Sequence, residues 1–159
     1  MTYFLHALGF AGALYIGLCA LAWIDIKTYR LPNVLTYPLV VIGLIASFKL
    51  PHITPKSALI GAVTGYLAFV IIERIFKQLY KKDGLGRGDA KLLAVGGAWC
   101  GWFGLPYIIL IASLCGLIFA SLPSQKQSIK KGNGHIPFGP FLALGIALIW
   151  AAQLYYWQR

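Results

Sequence analysis

The chain is divided into apolar stretches close to the roughly 20 residues that a helix needs to cross a bilayer, separated by short polar turns. The first stretch runs from about Thr2 to Ile24 and ends at Asp25; the second covers about Val34 to Leu50, the third about Ser57 to Phe76, and the last about Pro137 to Trp157. A water-soluble fold cannot absorb this many such stretches. Only 11% of the 159 residues are charged and 59% are hydrophobic, whereas a soluble domain carries about a quarter charged residues to wet its surface. The mean hydropathy of +0.75 excludes a disordered tail and a coiled coil as well. The first stretch has no basic residue before Lys27, so it reads as a retained helix and not as a secretory leader, whose positive charges come first.

The segment from Ala90 to Leu122 is too long for one simple span and gives short helices if divided. Gly104-Leu105-Pro106 offers a break near its middle, since proline cannot continue a preceding helix. Charge decides between the options. With two helices here and the Asp25 end inside, eleven of the fourteen basic residues fall on the inner side and only Lys49, Lys56 and Arg159 fall outside. A single helix moves Lys126, Lys130 and Lys131 outward and weakens that split, which the positive-inside rule disfavours. The expectation is an all-α integral membrane protein, a six-transmembrane-helix bundle with short loops, forming one membrane-embedded domain over residues 1–159. Tyr155, Tyr156 and Trp157 close it at the interface. Net charge is +10, but the basic residues sit in loops between apolar runs. They read as topology signals and contacts to anionic lipid, with no nucleic-acid partner expected.

Four acids exist: Asp25, Glu73, Asp83 and Asp89. A carboxylate at the edge of an apolar helix is costly, so it normally has a partner or a task. Asp25 closes the first span and Asp89 opens the fourth, at the same predicted depth. Two such carboxylates suit water-activating chemistry: one stays ionised and takes a proton from water, while the other keeps its proton and polarises the carbonyl under attack. Gly86 and Gly88 leave room for an extended peptide to approach, and Asp89 stands where a helix N-cap would. Each acid also has a plainer reading, Asp25 as an interfacial partner of Lys27 or Arg30 and Asp89 as a helix cap. Glu73 with Arg74 reads as a solvated helix end, and Asp83 as part of a solvated loop. Gly132-Asn133-Gly134 reads as a flexible loop. Cys19, Cys100 and Cys115 lie singly in apolar runs, so neither a disulfide framework nor a thiolate metal site is expected. His6, His52 and His135 are far apart in sequence, so no metal is expected there either.

The segment Gly86-Arg87-Gly88-Asp89-Ala90-Lys91-Leu92-Leu93-Ala94, followed by Gly97-Ala98-Trp99-Cys100-Gly101-Trp102, resembles the second active-site motif of the prepilin peptidases, also called type IV leader peptidases, which are GxGD membrane aspartyl proteases. Asp25, with Arg30-Leu31-Pro32-Asn33-Val34-Leu35-Thr36, resembles their first motif, and Ile136-Pro137-Phe138-Gly139-Pro140-Phe141-Leu142-Ala143 a third segment. The resemblance implies an enzyme of the bacterial inner membrane that cleaves the short basic leader from type IV prepilins or pseudopilins at the cytoplasmic face. It implies Asp25 and Asp89 as the catalytic pair, Gly86 and Gly88 as loop-shaping residues, and Lys91 as a recurrent position contributing to substrate binding or loop shape. No cofactor is implied. Many bacterial members have an aspartate where this chain has Asn33. The cysteine-paired cytoplasmic domain that full-length members link to N-methylation has no match here, so peptide cleavage without methyl transfer is expected. A small transporter using Asp25 and Asp89 as an ion or proton site is the rival reading; it predicts acids near mid-membrane, whereas both fall at helix ends. A non-catalytic scaffold predicts that neither acid matters. A signal-peptide-peptidase relative would place a tyrosine before the first aspartate, where this chain has Ile24.

Overall fold

The computed structural model describes residues 2–80, 86–122 and 137–157. Asp83, the Gly132-Asn133-Gly134 loop and His135 lie outside the described residues. Those residues form five helices: α1 (Thr2–Thr28), α2 (Asn33–Lys49), α3 (Pro55–Tyr80), α4 (Arg87–Ser121) and α5 (Gly139–Trp157). Residues Ala7–Thr28, Pro55–Leu79, Arg87–Ser121 and Gly139–Trp157 are each long and apolar enough to cross a membrane, and α2 is a shorter apolar helix of 17 residues. The described residues are thus all-helical outside short turns, with four long apolar helices.

Outside the central helix α4, each helix turns one face inward at helical spacing. On α1 that face is Leu14, Leu18, Leu21 and then Asp25, all buried, with Ile16, Trp23 and Ile26 exposed on other faces. On α5 it is Gly139, Leu142, Ala143, Ile146 and Trp150. The start of α3 is set by Thr54, whose Oγ1 accepts the Ser57 N–H at 3.3 Å, with Pro55 at the first helical position, where its missing N–H costs nothing. Pro32 stands just outside α2 as its N-cap. Every long helix exposes several large apolar side chains along its length, the surface a lipid solvent requires.

The central element is α4, which packs on α3, α5 and α2, while α1 closes against α5 and α2. Its backbone breaks at Gly101, with φ 70° and ψ 175°, three residues before the Gly104-Leu105-Pro106 break that the sequence suggests. A left-handed φ is open to glycine at little cost, and a Cβ here would also lie 2.5 Å from Ser57 Oγ. Pro106 is carried inside the helix that resumes after the break. The chain reverses at Gly101. The first part of α4 is buried almost throughout from Ala90 to Gly101. The second part runs back beside α5, since Gly104 lies next to Ile149, Gly145 against Ile108, and the Phe119 and Phe141 rings are 5.6 Å apart. The break leaves helix carbonyls without intrahelical donors, and Gln153 Nε2 donates to one of them, Cys100 O, at 2.9 Å.

Helix crossings are close where glycine permits. Gly61 on α3 and Gly97 on α4 touch backbone to backbone, and a Cβ on Gly61 would sit 2.5 Å from the Gly97 carbonyl oxygen. Beside them an aromatic cluster fills the core, with Trp99 and Trp150 edge-to-face at 5.8 Å and Trp99 Nε1 donating to Leu39 O at 2.8 Å.

Candidate active site

One end of the bundle gathers the C-terminal turn of α1, the N-terminal turns of α2, α4 and α5, and the C-terminal half of α3. Asp25 lies in the last turn of α1, not beyond it, because the helix continues to Thr28 and stops only at Tyr29, whose φ of 52° and N–H to Asp25 O bond (2.8 Å) form a left-handed C-terminal cap. Asp25 therefore continues the buried stripe of α1 and is itself 5% exposed. Its Oδ2 accepts the Gly139 N–H at 3.0 Å across 114 residues of chain. Gly139 is the first residue of α5, so this N–H is one of the donors that the helix itself cannot pair, at the terminus that favours negative charge.

Asp89 is the third residue of α4. The N-cap is Gly86, whose carbonyl accepts the Asp89 N–H at 3.0 Å, so Asp89 belongs to the first turn and is not the cap. Acidic side chains suit that turn because its free N–H groups carry partial positive charge. Asp25 lies within electrostatic reach of Asp89. The two acids, on helices far apart in sequence, are therefore near neighbours at one end of the molecule.

The remaining predicted residues surround them. Gly88 packs against Leu31, at 3.1 Å from where its Cβ would be. Lys91 donates to Asn33 Oδ1 at 2.5 Å and lies 5.8 Å from the centre of the Tyr37 ring. Gly86 stays exposed at the entrance to α4. Glu73 is not a solvated helix end: its side chain is only 17% exposed, and Arg87 Nε approaches its Oε1 at 3.6 Å. At the same end, Ile24, next in the chain to Asp25, lines an open groove of about 680 Å³ together with Thr28, Arg30, Leu31, Pro32 and Asn33. Among the described residues no group of three His, Cys, Asp or Glu side chains could hold a metal ion.

Two participants escape a residue-type search. Gly139 carries no side chain, and its contact with Asp25 depends on where α5 begins; its place after Pro137-Phe138 at the start of an apolar run is the one local signal. Asn33 is a neutral side chain next to a proline, with nothing in its neighbours to point at Lys91.

The type IV leader peptidase family profile matches residues 12–121, a stretch containing Asp25, Asn33 and the whole segment from Gly86 to Lys91. The chain is 42% identical over 149 residues to the prepilin leader peptidase/N-methyltransferase of Pseudomonas aeruginosa, covering 91% of this chain and 51% of that protein. It is 40% identical over 149 residues to the protein of the same name from Stutzerimonas stutzeri, with the same coverage. Against the Escherichia coli K12 protein of that name it is 42% identical over 137 residues, 84% of this chain and 60% of the relative. The chain spans about half the length of the curated relatives it matches. No solved structure matches it.

Proposed function

Because the chain belongs to the type IV leader peptidase family, we propose that it is a membrane aspartyl endopeptidase that removes the short basic leader from type IV prepilins or pseudopilins at the cytoplasmic face. The observation carrying the reading is the meeting of Asp25 and Asp89 at one end of an apolar bundle. A water between the two carboxyls gives a proton to the ionised one as its oxygen attacks the scissile carbonyl carbon. The protonated carboxyl hydrogen-bonds the carbonyl oxygen and supports the tetrahedral intermediate. Collapse of that intermediate with proton transfer to the leaving nitrogen releases the two peptides, and no covalent enzyme intermediate forms. The Gly139 N–H suits the ionised form of a carboxylate, which favours Asp25 as the group that draws the proton from water. Gly86 and Gly88 shape the entrance to α4, and Lys91 supports it.

Six spans are proposed, with α4 divided at Gly101. The reversal there returns the second half of α4 to the Asp25 end, and the basic residues Lys27, Arg30, Arg74, Lys77, Arg87 and Lys91 gather at that same end, which supports its placement inside. Peptide hydrolysis alone is proposed for these 159 residues, without methyl transfer. The rival ion-path reading is less well supported, since both acids lie in terminal turns of their helices and not midway along them.

The test is incubation of purified wild-type, Asp25→Asn and Asp89→Asn proteins with a panel of prepilins, reading leader loss and N-methylation by mass. Wild type should cleave without methylating, and each variant should insert normally and cleave at least about a thousandfold more slowly. Ordinary cleavage by either variant rejects the pair.

A further inference from the structure

Lys91 follows Asp89 by two residues, so on a helix of 3.6 residues per turn it leaves on nearly the opposite side. Its ammonium therefore faces α2 while Asp89 faces Asp25. The contacts on that flank are specific. Lys91 Nζ donates to Asn33 Oδ1 at 2.5 Å, and the same nitrogen lies 5.8 Å from the ring of Tyr37, one turn further along α2. One residue before Asp89, Gly88 rests against the side chain of Leu31, which is 8% exposed. The first turn of α4 is thus gripped on its far side by residues 31–37.

Leu31 and Asn33 also line the groove at the Asp25 end, together with Ile24 and Thr28. One short stretch of chain accordingly serves two surfaces, a wall of the groove and the seat of the turn that carries Asp89. The side-chain tie between seat and turn is the Lys91–Asn33 hydrogen bond. A lysine has three donors and no acceptor, so residue 33 must offer it an oxygen.

We propose that Lys91 is a positioning residue: by donating to Asn33 it fastens the first turn of α4 to the first turn of α2 and so holds Asp89 at its working distance from Asp25. This rests on the peptidase reading above. Lys91 touches neither the substrate nor the reacting atoms. Misplacement of a reacting group by about 1 Å costs on the order of a hundredfold in rate, so a loosened tie acts on the chemical step more than on substrate binding.

The test uses the full chain in detergent or vesicles with a prepilin substrate, measuring kcat, KM and the pH–rate profile. Lys91→Met and Asn33→Leu should each lower kcat by roughly 10- to 100-fold with KM within about threefold of wild type. The double variant should be no slower than the worse single one, because both remove the same contact. Asn33→Asp keeps an acceptor oxygen and should retain much of the wild-type kcat. In Asn33→Leu, which leaves the Lys91 charge in place, the acid and alkaline limbs of the profile should change their separation, since that separation depends on how closely the two carboxyls interact. A merely structural contact would lower thermal stability and leave the profile unmoved. Unaffected single variants, additive losses, or a change in KM alone would overturn the proposal while leaving an active wild type and inactive Asp89→Asn in place. A wild type that cleaves no prepilin would overturn the peptidase reading and this proposal together.

Discussion

Asp25 is the fourth member of a stripe that otherwise reads Leu14, Leu18, Leu21, so the packing that buries three leucines also carries a carboxylate into the bundle. It is held there by a backbone N–H from Gly139, and a methyl group at 139 would stand 2.5 Å from Asp25 Oδ2. Gly139→Ala should therefore displace the carboxylate and break the bond. A hydrogen bond to a charged group contributes about 1.5–3 kcal/mol, so kcat/KM on a prepilin should fall by roughly 10- to 100-fold; unaltered kinetics would show that the contact is idle. At the other end of the molecule, both nitrogens of His52 are buried without a partner among the described residues, beside Trp150 at 6.1 Å. Burial lowers the His52 pKa from 6.5 to about 4. Between those values the unfolded chain binds the proton and the folded one does not, so stability is full above about pH 6.5, declines as pH falls from there to about 4, and levels off below. Thermal unfolding in detergent should show that decline, and His52→Leu should flatten it without loss at neutral pH, since it also removes two unsatisfied polar atoms. The acids were legible from their scarcity in apolar surroundings. Gly139 and Asn33 were not, because what each does depends on a partner brought near only by the folded bundle.

The helices themselves could be read from run length, and the apolar runs match the observed elements closely. The break in α4 could not be placed as well. Proline looks like the stop signal, yet Pro106 is accommodated early in a helix that has just restarted, whereas Gly101 alone takes the left-handed φ of 70°. What selects Gly101 is tertiary: Ser57 of α3 crowds the position, and Gln153 of α5 waits for the carbonyl released at Cys100. Gly101→Ala should therefore cost about 1–3 kcal/mol through backbone strain and collision with Ser57. The expected outcome is a lower melting temperature in detergent, with the double variant Gly101→Ala plus Ser57→Ala recovering only the collision part. If the single variant melts like wild type, the reversal does not depend on that residue. The Gly61–Gly97 crossing makes the same point at another site, since close backbone approach between α3 and α4 is a property of two elements and of neither sequence alone.

Taken whole, the molecule carries apolar side chains outward and an aromatic and small-residue core inward, with its charges sorted to the ends. Lys27, Arg30, Arg74, Arg87 and Lys91 share the end of Asp25 and Asp89, while Lys49 and Lys56 flank the opposite end around His52. Single cysteines placed at the exposed positions 30 and 56 in a cysteine-free background should differ in labelling by an impermeant reagent, with position 56 reached from outside intact cells and position 30 only after the membrane is opened. The reverse pattern would invert the proposed orientation, and equal labelling would abolish it. The turn at Gly101 bears on biogenesis. In the proposed six-span arrangement two arms joined at a single residue have no hydrophilic tether between them. The pair would then enter the bilayer as one hairpin, carrying Asp89 to its depth together with the arm that follows it.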